Sequence, residues 1–156
     1  MLLTGTFPRV VDDKQRIALP KRIREVLEAG PDAKQLGLFL TPGTDSSLAL
    51  YREDSLTALG ERLAAASPNR RDVRAFGRAF YAQAERIELD DQNRFRIPAA
   101  LVTHAGLTKE VVLLGVQDHL EIWDKQRWER YLAEQSAEFD RIAEEAFGAL
   151  PPHAGT

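Results

Sequence analysis

A nine-residue pattern occurs twice in this chain, and it limits the fold to some arrangement of two like units. Residues 12–20 read Asp-Asp-Lys-Gln-Arg-Ile-Ala-Leu-Pro, and residues 90–98 read Asp-Asp-Gln-Asn-Arg-Phe-Arg-Ile-Pro. Asp12, Asp13, Arg16 and Pro20 recur identically as Asp90, Asp91, Arg94 and Pro98, without a gap inside the pattern. Ile17 and Leu19 recur in kind as Phe95 and Ile97. Internal self-similarity requires that the chain be read as two copies of one unit. What repeats is a polar turn carrying an arginine, and a polar turn is better suited to contact than to filling a core.

The same order of elements surrounds each turn. In the first copy, residues 6–11 alternate as a strand, Asp12–Gln15 turn, and Arg16–Leu19 form a second strand with Ile17 and Leu19 on one face. Pro20 suits the start of a helix, because its fixed φ and missing N–H cost nothing there. Ile23, Val26 and Leu27 follow at helical spacing, and Gly30-Pro31 ends the helix. A hairpin follows, Leu36–Leu40 and Leu48–Tyr51, around a tip rich in Gly, Pro, Asp and Ser. The second copy repeats this with a strand at residues 86–89, the turn Asp90–Asn93, a strand at residues 95–97 and a helix from Pro98 to near Gly106. A tighter hairpin follows around Gln117-Asp118-His119.

Helices at residues 53–66 and 72–84 join the copies, the latter with Val73, Phe76, Phe80, Tyr81 and Ala84 on one face. A single helix is expected at residues 125–150, with a frayed tail over residues 151–156. The expected organisation is a first repeat at 1–53, a helical connector at 54–84, a second repeat at 85–124, then the C-terminal helix and the tail. A helical connector argues for one pseudo-symmetric domain of two halves.

Charge is unevenly distributed. Residues 1–78 carry 13 Lys/Arg against 10 Asp/Glu, whereas residues 79–156 carry 8 against 14. Within residues 9–24, Arg9, Lys14, Arg16, Lys21, Arg22 and Arg24 oppose only Asp12 and Asp13. Local fields decide what binds where, so a net charge of −3 leaves room for a nucleic-acid partner. The chain has no cysteine, which excludes disulfides and thiolate metal sites. Residues 1–8 lack a basic segment followed by an apolar run, and no apolar run is long enough to span a bilayer. The expected location is the cytoplasm. His104, His119 and His153 show no metal-ligand spacing, and no phosphate loop or nucleophile elbow is present. The adjacent aspartates of each turn could suggest acid–base chemistry, but neighbours on a strand point to opposite faces. No enzymatic activity, cofactor or small-molecule substrate is expected.

These motifs resemble the MraZ family of bacterial transcriptional regulators, whose pattern is a repeated Asp-x-Lys-Gly-Arg followed by an apolar strand and Pro. Gly5 and Phe7 sit at the family's spacing ahead of the first motif, and residues 105–128 look like the family's second hairpin almost throughout. The resemblance implies an α+β fold: a double swapped-hairpin β-barrel of the AbrB class, with two pseudo-symmetric repeats and with connecting and C-terminal helices. It implies a ring-shaped homo-oligomer in the nucleoid. It also implies binding to double-stranded DNA at short direct repeats upstream of division and cell-wall genes, including the protein's own promoter. The family's turn glycine is Gln15 here and Asn93 in the second copy. Gln lacks both glycine's freedom and the local hydrogen bonding of Asn, so φ < 0 is expected at Gln15.

The candidate DNA-binding residues are Lys14 and Arg16 at the first turn, with Arg9, Lys21, Arg22 and Arg24 around it and Arg94 in the second copy. Arginine is the usual bidentate reader of guanine in the major groove, and a two-stranded ribbon fits that groove. The competing reading is an Asp12–Arg16 ion pair that closes the turn. Lys21, Arg22 and Arg24 suit phosphate contacts, or else a solvated helix face. Arg94 lies in a locally neutral stretch, so a smaller share in DNA binding is expected of it, beside a structural or inter-subunit role. The strip Arg70, Arg71, Arg74, Arg78 reads as solvated or inter-subunit, and the aromatics Trp128, Tyr131, Phe139 and Phe147 read as core or subunit interface. The alternative function is a ring-forming interaction protein of the same fold that has lost DNA binding, favoured by Gln15 in place of glycine.

Overall fold

The structure is a computed structural model that describes residues 1–66 and 69–152. Residues 153–156 of the expected tail lie outside the described residues. In chain order the elements are β1 (Thr6–Val10), β2 (Arg16–Ala18), α1 (Lys21–Leu27), a 3-10 turn (Ala33–Gln35), β3 (Leu38–Pro42), β4 (Leu48–Arg52), α2 (Glu53–Ala65) and α3 (Arg71–Gln83). The second half adds β5 (Glu85–Ile87), β6 (Arg94–Arg96), α4 (Ala99–Ala105), β7 (Glu110–Val116), β8 (His119–Asp124), α5 (Lys125–Ser136) and α6 (Phe139–Gly148). Residues 1–125 belong to one compact α+β unit, and the described residues from 126 to 152 belong to a second unit that contains α6 and most of α5.

Within the first unit the two copies exchange strands. The main sheet runs β1-β7-β8-β4-β3-β5 and a separate ribbon pairs β2 with β6, all antiparallel. Reading that order with the copies interchanged returns the same order, which is a pseudo-two-fold written in topology. The registers obey it. Arg9 opposite Val111 matches Ile87 opposite Leu38, and Leu48 opposite Ile122 matches Leu50 opposite Leu120. The pseudo-axis runs through the pairs Ala49–Glu121 and Ile17–Phe95, which map onto themselves. The described strands make an open sheet with edges at β1 and β5 plus the ribbon, not a closed barrel.

The sequence explains why the copies need each other. β2 and β6 have three residues each, too few to hold an isolated hairpin. Each buries its central residue, and Ile17 and Phe95 face each other at 1% exposure. Leu19, Ile23 and Leu27 from the first copy join Ile97, Leu101 and Ala105 from the second in one core with Leu40, Leu50, Leu113 and Leu120. Fully burying a residue of this size is worth about 1.5–3 kcal/mol, and the one core draws on both copies.

Pro20 and Pro98 precede α1 and α4 at φ of −58° and −59°, as the repeat leads one to expect. Gly106 closes α4 in the left-handed region at φ 57°. Gly115 is required for a different reason. A Cβ there would stand 2.3 Å from the backbone nitrogen of Thr4, because the N-terminal segment runs alongside β7 with Gly115 N–H donating to the Gly5 carbonyl at 2.8 Å.

Besides the closed barrel, two further expectations fail. The stretch at residues 125–150 is two helices, α5 and α6, not one. The last turn of α5 tightens, with Glu138 N–H donating to the Gln135 carbonyl, and Glu138 leaves helical geometry at φ −120° before α6 restarts. The second failure is Gln15, which lies at φ 61°, beside Asn93 at φ 59° in the repeat. Local preference is overridden by the turn and by the other copy. Asp12 N–H donates to the Arg16 carbonyl and Gln15 N–H to the Asp12 carbonyl, each at 3.0 Å, which is the bond pair of a three-residue loop ending in a left-handed residue. The Gln15 carbonyl then accepts from Ile97 N–H at 2.8 Å, and the Asn93 carbonyl accepts from Leu19 N–H at 2.8 Å. Each left-handed residue thus ties its own turn to the strand end of the other copy.

Candidate nucleic-acid interface

Each turn is built around its first aspartate. Asp12 Oδ1 accepts from the backbone N–H groups of Lys14 and Arg16, and Asp12 Oδ2 accepts from Arg16 Nε, all at 2.9 Å. Asp90 does the same for Gln92, Arg94 and Arg94 Nε, again at 2.9 Å. The Arg16 N–H first, and the guanidinium and Lys14 N–H after it, hold the Asp12 carboxyl below the usual carboxylate range against the opposing effect of burial. Asp90 is lowered in the same way, led by the Arg94 N–H. The Asp12–Arg16 ion pair of the competing reading is therefore present, and Asp90–Arg94 repeats it in the second copy. Arg16 also approaches Asp90 of the other turn at 3.8 Å. Both arginine side chains nevertheless stay 27–29% exposed. The pairing engages Nε and leaves Nη donors of each fork for a further partner.

The two turns are not separate sites. Because β2 pairs with β6, Arg16 stands directly opposite Arg96 and Ala18 opposite Arg94. Ile17 and Phe95 take the buried face, so Arg16, Arg94 and Arg96 share the other face of one two-stranded ribbon. Asp13, Lys14, Gln15, Arg16 and Arg96 line a shallow depression of about 320 Å³ there, with Lys14 and Arg96 exposed.

The flanking candidates divide. Lys21 and Arg22 are exposed at the start of α1, and the Arg22 guanidinium lies 5.2 Å from the centre of the Phe7 ring. Arg24 pairs with Glu28 at 2.9 Å and also donates to the side-chain oxygen of Asn93. The basic helix of the first copy therefore reaches the turn of the second. Charge counted along the chain separates a basic first turn from a neutral second one, and in the fold both turns belong to one ribbon. Arg9 is committed to backbone carbonyls, with Nε on Ala18 at 3.0 Å and Nη1 on Pro8 at 2.8 Å. It ties β1 to β2. Arg96 is the residue that sequence reasoning passed over. Its counterpart in the repeat is Ala18, so identity between the copies could not reveal it; strand alternation from Arg94 was the available signal.

A second polar cluster sits on the main sheet. His119 stacks on Tyr51 with ring centres 4.9 Å apart, and its ring nitrogens meet Asp118 at 2.8 Å and Glu121 at 3.4 Å. Burial works against charge on His119, but the hydrogen bonds to Glu121 and Asp118 outweigh it and raise its pKa above 6.5. The described residues contain no group of three or more His, Asp or Glu side chains placed to hold a metal ion. No helix among them is long and apolar enough to cross a membrane.

The fold and these paired turns define an internally duplicated α+β module whose copies interleave and present their repeated arginine turns on one ribbon. A family model described as "MraZ protein, putative antitoxin-like" matches residues 80–150. A protein of Nocardia farcinica named transcriptional regulator MraZ is 38% identical over 149 residues, covering 96% of this chain and 99% of the relative. Its namesake in Corynebacterium urealyticum is 41% identical over 143 residues, covering 92% and 95%. That of Limosilactobacillus reuteri is 38% identical over 144 residues, covering 92% and 96%. The chain belongs to the MraZ family. The family is one of regulators, and the protein is not an enzyme.

Proposed function

We propose that the chain is a DNA-binding transcriptional regulator that reads short direct repeats upstream of its own gene and of division and cell-wall genes. The observation that carries this reading is the ribbon, where Arg16, Arg94 and Arg96 share one exposed face beside Lys14. A two-stranded ribbon has the width of the major groove, and arginine donors match the O6 and N7 acceptors of guanine. Asp12 and Asp90 hold the arginines in place before DNA arrives, which lowers the ordering cost on binding. Lys21 and Arg22 supply phosphate contacts, which position the ribbon without reading sequence. Arg24 acts through the second turn, which it braces at Asn93.

The finer architecture belongs to the same proposal. Exchange of strands between the copies supports a swapped-hairpin module of the AbrB class, used twice. One ribbon is a small contact set. Assembly of several copies into a ring raises affinity through effective concentration when operator repeats match subunit spacing. The protein would act in the cytoplasm at the nucleoid, with DNA and further copies of itself as its partners. The alternative, an interaction protein that has lost DNA binding, drew on Gln15 as a sign of an altered turn. Gln15 and Asn93 both take the left-handed conformation that suits a glycine, which supports the DNA-binding reading over that alternative.

The test is a gel shift on the DNA upstream of the chain's own gene, repeated across salt concentrations. Arg16→Ala and Arg96→Ala are each expected to cost about 1–3 kcal/mol per engaged ribbon, roughly 5- to 150-fold. Lys21→Ala is expected to weaken specific and non-specific DNA alike and to flatten the salt dependence. Unchanged affinity in both arginine variants would refute the ribbon as the reading surface.

A further inference from the structure

The ribbon lies on the pseudo-two-fold axis, because the Ile17–Phe95 pair at its centre maps onto itself. A two-fold that exchanges antiparallel strands and keeps each face in place stands perpendicular to the ribbon, so it points out through the exposed face. Exchange of the copies carries the opposed pair Arg16–Arg96 onto Arg94–Ala18. The backbone of the reading surface is thus two-fold, whereas its side chains are not. Arg96 has Ala18 as its mate, and Lys14 has Gln92. Lys14, Arg16 and Arg96 gather at the first-turn end, around the depression they line with Asp13 and Gln15. Arg94 stands at the other end with Ala18 and the Gln92 turn. That end carries the start of α1 instead, since Leu19 N–H donates to the Asn93 carbonyl at 2.8 Å and Arg24 donates to the Asn93 side chain. Lys21, Arg22 and Arg24 on α1 have Ala99, Ala100 and Val102 as their mates on α4. Arg9, whose mate is Ile87, is committed to the Ala18 and Pro8 carbonyls.

We infer that Arg96 and Lys14 give the ribbon a direction on DNA, so that each operator repeat is read one way round and not the other. The inference rests on the proposed DNA-reading function of the ribbon and adds the polarity of that reading. B-DNA has two-folds perpendicular to its own axis, and a two-fold reader set on one of them matches a palindrome. A symmetric ribbon in that position would accept a repeat and its reverse complement equally. Phosphates obey the two-fold of the duplex, so Lys21 and Arg22 anchor the chain without choosing a direction. Direction has to come from donors that reach base edges and lack a mate across the axis. Arg16 and Arg94 are each other's mates and read without preference. Arg96 and Lys14 are unmatched, and both are exposed beside Arg16. One unmatched arginine–guanine contact discriminates by about 5- to 150-fold. Rotation around the proposed ring carries each ribbon onto the next without reversing it. Ribbons with a direction therefore favour repeats that all point the same way.

The test compares two duplexes built from the repeats that the full-length protein protects upstream of its own gene. One duplex keeps two repeats in the same direction. The other replaces one of them by its reverse complement at the same spacing between centres. Wild type should prefer the same-direction pair by about 5- to 150-fold. Lys14→Gln with Arg96→Ala removes the unmatched donors, and both residues are exposed, so the fold is not at stake. This variant should bind the two duplexes alike. Ala18→Arg with Gln92→Lys supplies the missing mates instead, and should raise affinity for the reversed pair to that for the same-direction pair. The readout is the ratio between duplexes, which a general weakening of binding does not move. A wild-type ratio kept in either variant would overturn the inference, as would a wild type that binds both duplexes alike. A wild type that binds neither duplex above scrambled DNA would overturn the DNA-reading function and the inference together.

Discussion

Replacing Gln15 by Gly tests the account of the repeated turn. Gln15 sits at φ 61° with an exposed side chain. Holding a residue with a Cβ in the left-handed region costs about 1–2 kcal/mol, which glycine would relieve. Glycine also gains about 0.4–1 kcal/mol of unfolded-state entropy, which opposes the relief. The net expectation is a gain of roughly 1 kcal/mol. In a chain of this size that raises the melting temperature by about 2–4 °C. Asn93→Gly is the internal control, because the backbone is equally left-handed but the outcome differs. Asn tolerates this region better, so less strain is relieved, and the side-chain oxygen that accepts from Arg24 is lost. Asn93→Gly should therefore leave stability unchanged or lower it. The assay is thermal unfolding of the three proteins at equal concentration, since assembly couples stability to concentration. DNA binding should persist in Gln15→Gly. A lower melting temperature for Gln15→Gly would refute the claim that the fold imposes strain there.

The acid limb of stability should depend on the turn aspartates. Asp12 and Asp90 have folded pKa values below 3.8, so their contribution is complete above that value and lost as pH falls through the lowered ones. Asp12→Asn should lower the melting temperature near pH 7 and shrink the further loss on acidification, as melts across pH would show. His119 behaves in the opposite sense. Its pKa is raised, so its contribution is complete below 6.5 and fades as pH rises through the folded value. Proton NMR should place the His119 midpoint above that of an unfolded peptide; a midpoint below it would remove the Glu121–Asp118 pairing from the account. Gly115→Ala should destabilise by about 1–3 kcal/mol in denaturant melts, because the new methyl meets rigid backbone at Thr4.

The sequence by itself determined the duplication, the order of elements within each copy and the chemistry of the turns. Local rules suffice for these. Apolar residues alternate in Ile17 and Leu19, recur at helical spacing in Ile23, Val26 and Leu27, and are punctuated by Pro20 and Gly30-Pro31. An aspartate placed four residues before an arginine can close a turn on it. Tertiary structure alone decided the rest. Which short strand pairs with which is a long-range choice, and three-residue strands such as β2 and β6 carry alternation but no record of their partner. That pairing put Arg96 opposite Arg16, brought Arg24 to Asn93 and merged two turns of different local charge into one face. It also forced Gln15 into a conformation its side chain disfavours, because the bond from its carbonyl to Ile97 N–H joins the two copies. The break at Glu138 that divides the last helix also escaped the sequence reading, since Leu132 and Phe139 keep one helical phase although Gln135 and Ser136 interrupt the apolar stripe between them. Side-chain pattern is local and survives in one dimension. Register, exchange of strands and backbone strain exist only once distant segments share hydrogen bonds and a core.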